Sequence, residues 1–308
     1  MMSRIRYLEN RLDKALSNIN KAHDFLRTSR INIFLCEIYI QTAFILQAMG
    51  RSSTAFFNME KALHRADGSG SRYLIRTARA AMAKLGLLQG KRQAAQAWST
   101  KNPLSLDEPF CEAFESDCLV QAFLLLDQAR FQEACRLMET LRPRALKRHR
   151  RTAVLEADII RAAALNGLGE KENAVRILEL GLCFAVPEQY IQPFVIYSPY
   201  IADLLITLSS ATDPVVKAHA AVICGHCRLE KPLERPQKTI PVTAFDSLNQ
   251  KEFDILKLID LGCSNREIAQ KMHISINTVK FYNKSLFTKL SVKNRVQAVT
   301  RARQLNIF

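Results

Sequence analysis

Between Asn265 and Arg295 the chain sets out side chains that can donate hydrogen bonds to a polyanion. Asn277, Lys280, Phe281 and Lys284 stand at helical spacing and line one side of a helix. A lysine ammonium donates to guanine O6 and N7, and an aromatic ring packs on a thymine methyl, so this row has the chemistry of base-edge reading. Asn265, Thr278, Lys289 and Arg295 offer further donors, better placed for phosphates, which position a protein without reading sequence. Charge agrees. From Leu248 to Phe308 there are 11 Lys and Arg against 4 Asp and Glu, a net of +7, in a chain whose total is +15. A basic excess favours polyanions and does not by itself choose DNA over RNA.

No comparable case exists for catalysis. The sequence has no Ser/His/Asp set in a supporting context, no paired carboxylates and no His-Glu-x-x-His, so no enzyme activity and no cofactor are expected. Cys224-Gly225-His226-Cys227, with His219 nearby, lacks a second ligand pair at zinc spacing and a thioredoxin-like strand–helix unit, and reads as buried thiols at a helix end, with no metal. Gly86-Leu87-Leu88-Gln89-Gly90-Lys91-Arg92 is the nearest string to a phosphate loop. It has one residue too few, ends in Arg and falls in a helical turn, so it is rejected.

The elements that must position the donor row are helices. Ile268, Ala269 and Met272 share a face; His273-Ile274 makes a turn; Ser275 can cap a second helix whose apolar positions are Val279, Leu286 and Leu290. Two short helices on a tight turn form a helix-turn-helix, and Ala269 is small because the two cross closely there. A supporting helix over Leu248 to Leu261 precedes them, through Phe253, Ile255, Leu256 and Ile259, and Gly262 stops it. A fourth helix is expected from Val296 to Leu305.

This stretch resembles the LuxR-type (NarL/FixJ-type) DNA-binding domain of bacterial transcription regulators. The resemblance rests on Leu248, Glu252, Leu256, Gly262, Ser264-Asn265, Glu267-Ile268-Ala269, Ser275, Thr278-Val279-Lys280, Lys289-Leu290, Val292, Asn294-Arg295 and Ala298, in the family's order and spacing. The chain departs from the family pattern at Asn249, Met272 and Tyr282, which stand where Thr, Leu and His are usual. The resemblance implies that Lys280, Phe281 and Lys284 face bases. It also implies that Val296, Val299, Thr300 and Arg303 of the fourth helix form a pairing surface between two copies on DNA.

The remaining chain is built on a repeat. Gly50, Gly90, Ala129 and Gly169 are separated by 40, 39 and 40 residues, with Ala43, Ala83, Ala122 and Ala162 seven residues before them and Ala55, Ala95, Ala134 and Ala174 five after. Small residues at that offset mark where paired antiparallel helices approach most closely. The pattern resembles the tetratricopeptide repeat, with a period longer than the usual length of about 34 residues. The second repeat departs most, because Ser99-Thr100-Lys101-Asn102-Pro103-Leu104 breaks its second helix early. The stretch from Leu165 through Phe194 resembles the end of the helical sensor in MalT-like regulators, which join a nucleotidase module, a helical-repeat sensor and a LuxR-type reader. The resemblance covers the last two parts; a segment of a larger regulator and a short regulator that works without ATP both fit.

Composition fits an all-α protein: 10 Gly and 10 Pro are few for 308 residues, and the eight cysteines show no secreted framework, which favours a reducing cytoplasm. The most apolar window, Ile31 to Met49, carries Asn32, Glu37, Gln41 and Gln47 and reads as a buried helix, with no membrane association expected. Arg142 to Arg151 is a basic run that reads as a solvated inter-repeat turn, with contact to DNA or an acidic partner as the alternative.

The expected organisation is a tetratricopeptide-like superhelix over 1–228, a semi-rigid linker over 229–245 with Pro232, Pro236 and Pro241, and a four-helix reader over 246–308. The expected function is sequence-specific transcription regulation, in which a peptide, protein or small-molecule effector on the repeats controls the reader. Duplex DNA, a second copy on DNA and RNA polymerase are the partners this implies. The alternative is an interaction scaffold with a weak or vestigial reader.

Overall fold

The computed structural model describes residues 2–29, 34–105, 111–227, 250–272, 274–289, 292 and 294–304. The 229–245 linker, both domain boundaries around it, Leu248, Asn249, Leu290 and Leu305 lie outside the described residues. Among those described, all regular elements are helices. Two compact units divide at Arg235 and Pro236, apart from a short piece of the N-terminal half.

The first unit holds α1 (Met2–Leu8), α2 (Leu12–Ser29), α3 (Leu35–Ala48), α4 (Ser52–Ser69), α5 (Arg72–Leu88), α6 (Arg92–Lys101), α7 (Glu112–Asp127), α8 (Phe131–Lys147), α9 (Arg151–Gly167), α10 (Lys171–Ala185), α11 (Gln192–Leu208) and α12 (Pro214–Cys227). The second holds α13 (Gln250–Asp260), α14 (Asn265–Met272), α15 (Ile276–Lys289) and α16 (Arg295–Gln304).

The repeat signal acts through the turns. Gly50, Gly90, Ala129 and Gly169 all have positive φ, between 57° and 87°, at the junctions α3–α4, α5–α6, α7–α8 and α9–α10. In three of them the next residue's amide closes a long bond back over the turn: Lys91 to Gly86, Arg130 to Leu125 and Glu170 to Leu165, at 2.8–2.9 Å. These bonds satisfy carbonyls that a helix end leaves open and reverse the chain within a few residues. The flanking alanines sit where expected: Ala43, Ala122, Ala162, Ala55, Ala95, Ala134 and Ala174 are each at most 1% exposed, and Ala83 is 2% exposed. Their missing side chains let each helix lie against its partner, and the first helices α5, α7, α9 and α11 stack in sequence. The second repeat is shortened as its sequence suggests, with α6 ending at Lys101 after 10 residues. The apolar window forms α3, whose Leu35, Cys36, Ile38, Ala43, Ile45 and Leu46 are buried. No helix among the described residues is long and apolar enough to cross a membrane.

The basic run differs from a solvated turn. Arg142 to Lys147 is the last part of α8, and the chain reverses only at His149, which has φ 55°. Arg142 Nε donates to Asp158 at 2.6 Å, and Arg150 donates to Glu115 at 2.8 Å and Glu112 at 2.9 Å. Asp158 and Glu115 are 7% and 5% exposed. The Arg144 and Arg151 guanidinium groups lie over the Phe114 and Phe184 rings, at 4.6 and 4.4 Å from their centres. A buried carboxylate needs a cation and hydrogen bonds, and this run supplies them. Four of the eight cysteines are buried, and Cys111 and Cys183 are exposed, so burial does not account for all of them.

Candidate nucleic-acid interface

The second unit closes around Phe253, Ile255, Leu256, Ile259, Ile268, Ala269, Val279, Leu286, Ala298 and Ala302, all buried. Its first corner follows α13. Gly262 takes φ 79°, its amide bonds to Ile259 and the Cys263 amide reaches the Leu258 carbonyl at 2.9 Å. A residue with a Cβ is strained at that φ, which is why Gly stands there.

The second corner begins at once. Glu267 N–H donates to Ser264 Oγ at 3.3 Å, and Ser264 N–H donates to Glu267 Oε2 at 2.7 Å, a reciprocal capping box on α14. The two bonds from Ser264 hold the Glu267 carboxyl below the usual carboxylate range. The signal for this, Ser followed three residues later by Glu, stands in the sequence, but the sequence reading took these residues only as family markers.

Ile274 N–H bonds to the Ala269 carbonyl at 3.0 Å, and Ser275 Oγ accepts from Thr278 N–H at 3.1 Å and pairs with the Thr278 hydroxyl at 2.7 Å. Ser275 thus caps α15 as expected. Ala269 is buried at 7% exposure, leaving α14 and α15 free to approach.

The helix register of α15 separates two sides. Val279 and Leu286, both at 0% exposure, face the core, and Tyr282 packs beside them. Positions 277, 280, 281 and 284 fall on the side away from Val279 and Leu286. Lys280 is exposed; the side chains of Asn277, Phe281, Lys284 and Lys289 lie outside the described residues.

The other donors have partners inside the unit. Asn265 Oδ1 accepts from Asn283 Nδ2 at 2.9 Å, tying α14 to α15. Arg295 Nη2 donates to the Cys263 carbonyl at 2.8 Å, tying the start of α16 to the first corner. Lys271 Nζ reaches Cys263 Sγ at 3.3 Å, and Ser285 Oγ donates to Glu252 Oε1 at 2.6 Å, where Glu252 is 1% exposed. No residue spacing announces these cross-helix bonds, because they depend on which faces meet. On α16, Val296 is 71% exposed and Thr300 is exposed, whereas Val299 packs against the core; the Arg303 side chain lies outside the described residues.

Cys224 and Cys227 are half-buried at the end of α12, and burial pushes both thiols up, away from the thiolate that metal binding and nucleophilic chemistry need. Among the described residues no group of three or more His, Cys, Asp or Glu side chains is arranged to hold a metal ion.

Known proteins match both units. The family described as "MalT-like TPR region" matches residues 1–211, and the family described as "Bacterial regulatory proteins, luxR family" matches residues 246–302. Among relatives, the HTH-type transcriptional regulator AlkS of Alcanivorax borkumensis is 28% identical over 156 residues, which is 48% of this chain and 17% of that protein. The CsgBAC operon transcriptional regulatory protein of Escherichia coli is 33% identical over 141 residues, 44% of this chain and 63% of that protein. The response regulator protein VraR of Staphylococcus aureus is 44% identical over 64 residues, 21% of this chain and 31% of that protein. The chain therefore spans less than two thirds of the length of each of these relatives. With 211 of its residues in one family match, and a capped helix-turn-helix in the other, the chain belongs to the MalT-like TPR family and carries a C-terminal LuxR-type helix-turn-helix domain.

Proposed function

We propose that the chain is a DNA-binding transcription regulator in which α15 reads base edges in the major groove and the helical repeats receive the signal. The observation that carries this is the division of α15: one side closes the core through Val279 and Leu286, and the other presents Lys280 in line with positions 277, 281 and 284. The named functions of the relatives, transcriptional regulators and a response regulator, support the same reading.

In this reading Lys280 and Lys284 donate to guanine, Phe281 meets a thymine methyl and Asn277 lies at the edge of the footprint. Lys289 and Thr278 serve phosphates, with Asn265 and Arg295 doing so through donors beyond the internal bonds described above. Val296 and Thr300 form the centre of a pairing surface between two readers, which raises affinity through effective concentration. A peptide, protein or small effector on the repeats changes how readers are presented or paired, and the paired readers contact RNA polymerase.

The test is to select genomic DNA fragments on the full chain and sequence them. Enrichment of a shared motif with two half-sites supports the proposal. Salt-sensitive binding with no motif sinks it and favours a scaffold that touches DNA through its +15 charge alone.

A further inference from the structure

The first helix leaves its neighbours in sequence and reaches the far repeats. α1 pairs with α2 through Ser3 Oγ, which donates to the Ala15 carbonyl at 2.9 Å. Its other contacts lie more than a hundred residues away. Ile191 N–H donates to the Leu8 carbonyl at 2.8 Å, Arg4 stands 3.8 Å from Glu112, and just beyond the helix Asn10 Nδ2 meets His226 Nδ1 at 3.0 Å. The Tyr7 hydroxyl is buried beside the Gln192 amide, which hydrogen-bonds it, with Glu156 and Tyr197 close by. One short helix therefore touches α7, α9 and α11, the stacked first helices of successive repeats. It lies in the groove those helices line.

The groove is built without α1. Glu156 Oε2 accepts from Lys84 Nζ at 2.8 Å and from the Tyr197 hydroxyl at 3.1 Å, so its charge is satisfied by α5 and α11. Gln192 is 4% exposed, and its side-chain oxygen has no hydrogen-bond partner, which leaves an acceptor in the seat that Tyr7 occupies only in part. The occupant is weakly built by contrast. α1 has 7 residues, Ser3 is its one buried residue, and Met2 is 52% exposed. A helix that short has no stability of its own, so groove contacts hold it in place.

We propose that this groove is a peptide-docking site whose resident occupant is α1, and that its external ligand is a basic, tyrosine-bearing helical segment of a partner protein. The partner's tyrosine takes the Tyr7 seat on Gln192 and its cation takes the place of Arg4 at Glu112. Docking and release of α1 are one exchange. The effect on DNA rests on the proposed reading that the repeats receive a signal; the docking site itself does not.

The experiment uses a fluorescein-labelled peptide of residues 2–11 and fluorescence anisotropy with the full chain. Tethered α1 competes at an effective concentration on the order of millimolar, so the wild-type chain binds the free peptide poorly. The full-length Tyr7→Ala chain is expected to bind it at least tenfold more tightly than wild type, and a peptide with Phe in place of Tyr7 binds that chain several-fold more weakly. Equal affinity for both chains, no saturable binding, or indifference to the Phe peptide overturns the proposal. Amide hydrogen exchange on the wild-type chain guards against a misfolded variant: α1 amides are expected to exchange at least a hundredfold faster than those of α9 and α11. Exchange of all three together makes α1 an integral part of the core and overturns the proposal. No DNA is present, so a failure here leaves the DNA reader standing.

Discussion

Replacing Arg295 with Ala separates two roles that one arginine can play. Its Nη2 donates to the Cys263 carbonyl at 2.8 Å in a partly buried site, where that carbonyl belongs to the turn between α13 and α14. A hydrogen bond from a charged donor contributes about 1.5–3 kcal/mol, and partial exposure lets water replace some of it, so the loss is about 2 kcal/mol. By contrast Lys280 is exposed on the outer side of α15, and Lys280→Ala should stay within about 0.5 kcal/mol of wild type. The assay is amide hydrogen exchange of Ile268 and Ala269 in the full chain, because both are buried in the core that this corner closes. At about 1.4 kcal/mol per tenfold, Arg295→Ala should speed their exchange roughly 30-fold, with Lys280→Ala unchanged. Unchanged exchange in Arg295→Ala would refute the structural role and leave the arginine wholly to phosphate.

Three further outcomes follow from the repeats. Ala129 holds φ 57° where the other repeat turns use Gly, so Ala129→Gly should stabilise the repeat unit by about 0.5–1 kcal/mol, read as a rise of a few degrees in its thermal transition. A Cβ at Gly167 would lie 2.6 Å from the Phe131 ring, so Gly167→Ala should cost about 1–3 kcal/mol by the same assay. His219 is half-buried with Nε2 3.1 Å from the Tyr190 carbonyl, and desolvation holds its pKa below the ordinary value of 6.5. The unfolded chain then binds the proton more readily, so the stability this group contributes is fully present above pH 6.5 and lost as pH falls through the lower folded value. Chemical denaturation of wild type and His219→Gln at pH 7.5 and below 6 should show a larger acid loss in wild type.

How much was legible differs with the range of the interaction. The repeat turns could be found because a left-handed helix stop and a close helix contact each demand a residue type at a fixed offset, and Gly50, Gly90 and Gly169 with their alanines supply it. Ala129 was placed by period alone, since its type argues against positive φ. The reader's corners were legible for the same local reason, through Gly262, Ser275 and the apolar face of Ile268, Ala269 and Val279. The basic run at Arg142 misled because a charge row reads as solvated unless its carboxylates are known, and Asp158, Glu115 and Glu112 lie on other helices. Asn265 and Arg295 looked like phosphate donors for the same reason: Asn283 and the Cys263 carbonyl meet them only after packing. The seat of Tyr7 on Gln192 joins the two ends of the repeat unit, and no local pattern encodes it.

The central claim is that α15 reads sequence. It is tested most directly by the ratio of Kd for a shuffled duplex to Kd for the selected site, at one salt concentration, in the wild-type chain and in the Lys280→Ala/Lys284→Ala chain. The account predicts a wild-type ratio on the order of 10³ or more, falling by at least tenfold in the double variant while general DNA binding persists. A ratio near one in wild type, or a high ratio that the double variant keeps, would contradict it.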